Sequence, residues 1–158
     1  MAVCREPREE TAYAVEISAE MSYMPRTSFL ILVLLAVAAA APPRSAGDGV
    51  YSRDQADRGK TQYLEHCARC HGENLLGGEE SPALVDGDFL AKWHGKTVGE
   101  LVERTRKTMP TDGPGVLSRR QCVDIVAYLL SANEYPAGET ELDSDLAALN
   151  EIRIDPKP

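Results

Sequence analysis

Two cysteines and a histidine stand together in Cys67-Ala68-Arg69-Cys70-His71, a C-x-x-C-H run. Two thiols at this spacing on a bent turn can reach the two vinyl groups along one edge of a porphyrin. A histidine directly after the second thiol then lies beneath the iron, where an imidazole nitrogen is a suitable axial ligand. Three other chemistries use paired cysteines. Half of a zinc site needs further ligands, and the only other cysteines are the isolated Cys4 and Cys122. A thioredoxin-like redox pair needs a βαβ setting, which this chain lacks. A disulfide between residues so close would shut almost no loop and constrain little. The run therefore reads as the attachment site of one haem c, covalently held by Cys67 and Cys70, with His71 on the iron.

Such a site needs elements that bring a second wall opposite the motif. Three segments open with Ser or Thr followed three residues later by Gln or Glu, the reciprocal capping pattern of a helix start. They are Ser52…Gln55, Thr97…Glu100 and Ser118…Gln121. They predict helices over 53–66, 98–107 and 119–132, the second stopped by Pro110. In the third, Cys122, Ile125, Val126 and Leu129 recur at helical spacing. The stretches 72–88 and 110–115 are rich in Gly and Pro and read as loops. No alternating strand pattern and no internal repeat is found. The expected class is all-α, three main helices with long loops, and loops of this length in a small domain point to a large group filling the space they enclose.

The apolar run at 29–41 has thirteen residues, too short for a membrane span and the right size for the core of an export signal. Arg26 precedes it and small residues follow, so cleavage is expected within 38–41 or after Ala46. Residues 1–23 carry five glutamates, unlike a signal's basic start, which suggests that translation begins at Met21 or Met24. This divides the chain of 158 residues into an extension and signal over 1–46, a domain over 47–133, and a polar tail over 134–158 with a short helix at 143–150. The expected location is periplasmic or secreted, with no membrane span after cleavage. The formal net charge is −8, and from Gly47 onward 20 acidic residues face 13 basic ones. An acidic surface argues against nucleic acid as a partner and fits docking on a basic protein surface.

Around the motif, the region 52–133 resembles the class I cytochrome c family, most closely the short bacterial cytochromes found beside periplasmic dehydrogenases. Gly59 and Tyr63 precede Cys67 at the family's spacing. The run Asp124-Ile125-Val126-Ala127-Tyr128-Leu129 is similar to its C-terminal helix signature, and 108–115 and 135–138 are similar to that bacterial group. The resemblance implies a class I cytochrome c fold wrapped around one haem. In such a fold Gly59 is the close-approach point of two crossing helices, with Tyr63 and Tyr128 packed about it. Met109, followed by Pro110 and 38 residues beyond His71, is the implied sixth ligand. Pro82 is the implied carbonyl acceptor for the proximal histidine, and Leu84 the implied haem-lining residue.

Trp93 is expected to bury its rings against the haem edge or in the core. His66 is too near Cys67 to reach the opposite haem face, and His94 reads as a surface histidine, with a bis-histidine haem as its alternative role. Cys122 reads as a buried, inert thiol. The implied activity is one-electron carriage between redox proteins, a dehydrogenase as donor and an oxidase or another cytochrome as acceptor, with no catalytic residue. Two alternatives stay open: a cytochrome subunit bound stably to a periplasmic dehydrogenase, the polar tail serving as docking strap, and a haem enzyme or gas sensor with an open sixth site.

Overall fold

The computed structural model describes residues 44–79 and 81–156, so the expected export signal and the choice of start residue lie outside the described residues. The described chain is all-α apart from one short strand pair. Its helices are α1 (Arg53–His66), α2 (Ala68–His71), α3 (Asp86–Trp93), α4 (Val98–Thr108), α5 (Arg119–Ala132) and α6 (Leu146–Asn150). The strands β1 (Arg44–Ser45) and β2 (Ile152–Arg153) pair in parallel. The three capped helices begin where their capping residues stand. The Thr97–Glu100 and Ser118–Gln121 boxes close in both directions.

At the first helix only half of the expected box forms. Ser52 Oγ accepts the Gln55 N–H at 3.1 Å, but the Gln55 side chain turns away. Its amide exchanges two hydrogen bonds with the Leu142 backbone, at 3.1 and 2.8 Å, in a fully buried position. A buried amide whose donor and acceptor are both matched outweighs a solvent-exposed cap.

That pairing corrects the reading of 134–158 as a polar tail. Leu142, Leu149, Ile152 and Ile154 are buried. The Tyr51 hydroxyl donates to the Tyr135 carbonyl at 2.6 Å, and the Tyr135 hydroxyl donates to the Asp155 carbonyl at 2.7 Å. The short helix is present, as Leu146–Asn150. The segment is thus part of the domain and is not free to act as a strap. The domain also begins earlier than residue 47, because β1 pairs with β2 and Ala46 is wholly buried.

The core is organised by the crossing of α1 and α5. A Cβ on Gly59 would lie 1.8 Å from the Asp124 carbonyl oxygen, so only a glycine allows the two backbones this close. Tyr63 and Tyr128 pack beside the crossing with ring centroids 5.4 Å apart and planes tilted by 53°. Arg58 of α1 reaches the buried Asp124 at 3.3 Å and adds a charged tie. Helix α4 lays Val98, Leu101, Val102 and Thr105 against the core at the i, i+3, i+4, i+7 spacing of an amphipathic helix. Glu103 of the same helix is held by Arg106 at 3.0 Å, Lys107 at 2.7 Å and Arg119 of α5 at 3.7 Å. The hydrogen bond from Arg106, then that from Lys107, brings its carboxyl down to about 2.

Two outcomes follow from this packing. Gly59→Ala should cost about 3 kcal/mol in denaturant unfolding, since two helix backbones must separate, whereas Gly87→Ala, with open space around it, should be neutral or gain up to about 1 kcal/mol. Equal effects would contradict the crossing. Glu103 has a depressed folded pKa, so its contribution is complete above the ordinary carboxylate range and fades as pH falls from about 4.5 towards about 2. The stability gap between the native protein and Glu103→Gln should therefore close over that window, and a gap independent of pH would contradict it.

Candidate haem-binding site

The motif sits at a bend between two helices. α1 ends at His66, and Cys67, at φ −121° and ψ −35°, breaks the helix before α2 carries Cys70 and His71. The bend is fixed by Cys67 N–H donating to the Tyr63 carbonyl at 2.8 Å and by the His71 N–H donating to the Cys67 carbonyl at 3.0 Å. The Tyr63 hydroxyl also donates to the Gly72 carbonyl at 2.6 Å, tying the end of the motif to the helix crossing.

After His71 the chain folds back on itself. Gly77, at φ 76°, lets the Ser81 carbonyl approach to where a Cβ would stand at 2.3 Å. The Gly77 N–H donates to the His71 carbonyl at 2.9 Å, and the Leu84 N–H donates to the Leu75 carbonyl at 2.8 Å. This returns Pro82 to the histidine, and His71 Nδ1 lies 2.9 Å from the Pro82 carbonyl oxygen. A carbonyl can only accept, so Nδ1 carries a proton, and in the neutral ring Nε2 is the nitrogen with the lone pair. That is the tautomer a metal-binding imidazole requires, with an orienting partner on its far nitrogen.

Met109 caps the C-terminus of α4, its N–H donating to the Thr105 carbonyl at 3.0 Å, and the Met109–Pro110 peptide is cis. A cavity of about 600 Å³ is lined by Cys67, Cys70 and His71 of the motif, by Met109, Pro110 and Thr111, and by the apolar residues Pro82, Leu84, Phe89, Trp93, Leu101, Ile125 and Leu129, with Ser81, Asp88, Lys92, Arg104 and Thr105 among its polar lining. The expected residues Cys67, Cys70, His71, Pro82, Leu84, Trp93 and Met109 are therefore brought together around one space. His66 lines it too, half-buried. His94 is exposed and does not line it. Trp93 is buried against Phe89, with ring centroids 6.4 Å apart, and Lys96 lies 5.1 Å over its ring.

The Cys67 thiol is not activated. Burial pushes the Cys67 thiol up to about 11, the reverse of the depressed pKa that a thiol–disulfide exchange pair needs. Cys122 is wholly buried and likewise raised to about 11 by desolvation. Among the described residues no group of three or more His, Cys, Asp or Glu side chains is arranged to hold a metal ion. The donor set fits haem instead: a largely apolar cavity lined by two thiols, an imidazole oriented through its Nδ1 and a soft thioether.

Asn133 was not expected. It caps α5, and its side-chain amide donates to the carbonyls of Leu129 and Leu84 at 2.8 and 2.9 Å while accepting the Asp86 N–H at 3.0 Å. It thereby fixes the segment just beyond Pro82. An asparagine at a helix C-terminus, with Pro136 shortly after it, is the one sequence signal for such a cap. Helix α3 was also missed, and it supplies Phe89 to the cavity.

The fold and the motif define the class. Residues 54–129 match the family model described as cytochrome c oxidase, cbb3-type, subunit III; this cytochrome c domain supports a class I c-type cytochrome and points to haem-based electron transfer rather than to catalysis. Among solved structures, the sulfane dehydrogenase SoxCD from Paracoccus pantotrophus is similar at 20% identity with a TM-score of 0.45, over 68% of this chain and 61% of that one. The chain thus spans about three fifths of the length of that relative. No curated protein matches it.

Asn133→Ala should lower the unfolding free energy by about 1–2 kcal/mol, because it leaves the part-buried Leu84 carbonyl and Asp86 N–H without their side-chain partner. Denaturant titration measures this, and an unchanged midpoint would mean that Asn133 does not hold the Pro82 segment.

Proposed function

We propose that this protein is an exported, periplasmic one-electron carrier with a single haem, thioether-bonded through Cys67 and Cys70 and ligated by His71 and Met109. The observation that carries the reading is the convergence of these four side chains on one largely apolar cavity, with the imidazole tautomer set by Pro82. When bound, the haem supplies a reversible one-electron couple at its iron. The chain's own residues do the rest. Cys67 and Cys70 fix the group to one wall. His71 presents Nε2, held in orientation by the Pro82 carbonyl. Met109 presents a thioether, a ligand that raises the potential. Leu84, Phe89, Trp93 and Leu129 keep water from the cavity, which favours the less charged, reduced state.

With His71 and Met109 both holding the iron, no position would be left for oxygen or substrate, which would set the carrier apart from a haem enzyme or gas sensor. The partners in this reading are redox proteins, a dehydrogenase as donor and an oxidase or another cytochrome as acceptor, meeting the chain through small and short-lived interfaces. The acidic balance of the sequence suits a basic docking surface. A stable subunit held by its C-terminal strap is not favoured, because that segment is already packed on its own domain.

No helix among the described residues is long and apolar enough to cross a membrane. We place the export signal in the apolar run at 29–41. Cleavage falls ahead of Arg44, since removal through Ala46 would strip β1 and a fully buried residue from the fold.

Met109→Ala is expected to abolish the weak far-red absorption of the ferric protein, lower the midpoint potential, and let the reduced protein bind carbon monoxide quickly. The native reduced protein should resist carbon monoxide. Rapid formation of a carbon monoxide adduct by the native protein, or survival of the far-red band in the variant, would overturn the assignment.

A further inference from the structure

The loop 110–117 that follows Met109 is held to the rest of the domain in an unusual way. Its backbone hydrogen bonds are internal, Gly113 N–H to the Pro110 carbonyl at 3.0 Å and Val116 N–H to the Gly113 carbonyl at 3.3 Å. Leu117 anchors its far end in the core. Among the described residues, one hydrogen bond or ion pair joins it to any other segment: the Arg69 guanidinium donates to the Asp112 carboxylate. Arg69 stands between the two cysteines of the motif, and Asp112 stands three residues after Met109. Cys67, Cys70 and His71 of the motif and Met109, Pro110 and Thr111 of the loop all line the same cavity. The pair therefore joins the motif to the loop from outside, with both side chains exposed.

We propose that Arg69 and Asp112 form a clasp that holds the Met109 loop against the haem-attachment motif and so slows departure of the sixth ligand; this rests on the reading of Met109 as that ligand. Both are positioning residues and neither touches the iron. An exposed ion pair contributes little to global stability. A loop with no other polar tether has little else to resist opening, however, and local opening free energies are small at such loops. The clasp thus acts on a local equilibrium while leaving the melting temperature almost unmoved. It also makes ligand retention depend on ionic strength, because an exposed pair is screened as the Debye length falls from about 10 Å at 0.1 M salt to about 3 Å at 1 M.

The test is stopped-flow binding of imidazole to the ferric holoprotein, under conditions where loss of the native sixth ligand limits the rate, with the far-red band recorded for each sample. Asp112→Asn and Arg69→Gln should each raise the limiting rate by about two- to fivefold at low salt, the range open to an exposed pair. The double variant should match the singles rather than multiply them, since one contact is shared. The charge-swapped Arg69→Asp/Asp112→Arg protein should return towards the native rate, and 1 M salt should bring all of them together. Native rates in both single variants, or multiplicative effects in the double variant, with the far-red band intact in the native protein, would overturn the clasp alone. Absence of that band from the native protein would overturn the Met109 reading and the clasp together.

Discussion

Cys67, Cys70 and His71 occupy five consecutive residues, so one wall of the cavity is settled by local backbone. What the rest of the chain must supply is a second wall at a fixed separation, and that depends on how closely α1 and α5 cross. With Gly59 against the Asp124 carbonyl, the helix that leads into the motif is seated on the helix that supplies Ile125 and Leu129 to the cavity. Tyr63 carries the same constraint forward, packing on Tyr128 at one end and donating to the Gly72 carbonyl at the other. The position of the imidazole is thus referred to the core rather than to a mobile loop.

The second layer of control is a chain of hydrogen bonds to loop backbone. Asn133 holds Leu84 and Asp86, the chain after His71 turns back at Gly77, and the Pro82 carbonyl accepts the hydrogen bond from the imidazole. Each link satisfies a polar group that would otherwise be costly to bury, so a loop rich in Gly and Pro becomes a rigid support. The opposing loop, 110–117, has no comparable inward network, and the two loops that flank the cavity differ accordingly in how firmly they are held.

Much of this was legible in the sequence for identifiable reasons. Ser52, Thr97 and Ser118 announce their helices because a side-chain oxygen at that place satisfies an otherwise orphaned N–H. The all-α class followed from them, and the family comparison and the fold agree with it. Helix α3 was hidden because Val85, its capping residue, offers no side-chain acceptor, Asp86 has a positive φ, and Gly87 lies inside. The C-terminal segment was misread because its composition is polar while its few apolar residues are the ones that matter. Ile152-Arg153-Ile154 alternates buried, exposed, buried, a period of two that marks an edge laid on a core. The exchange of bonds between Gln55 and Leu142 joins residues 87 apart and left no local signal.

In the proposed reading, two neighbouring thiols bind a porphyrin covalently after export. The most direct measurement is extraction of the purified periplasmic protein with acidified acetone, followed by haem-peroxidase staining of the residue on a denaturing gel. The account predicts that the colour stays with a polypeptide whose mass corresponds to the chain without its first 40 or so residues. It predicts that the stain is lost when Cys67 and Cys70 are both replaced by alanine. Pigment that passes cleanly into the acetone would contradict it.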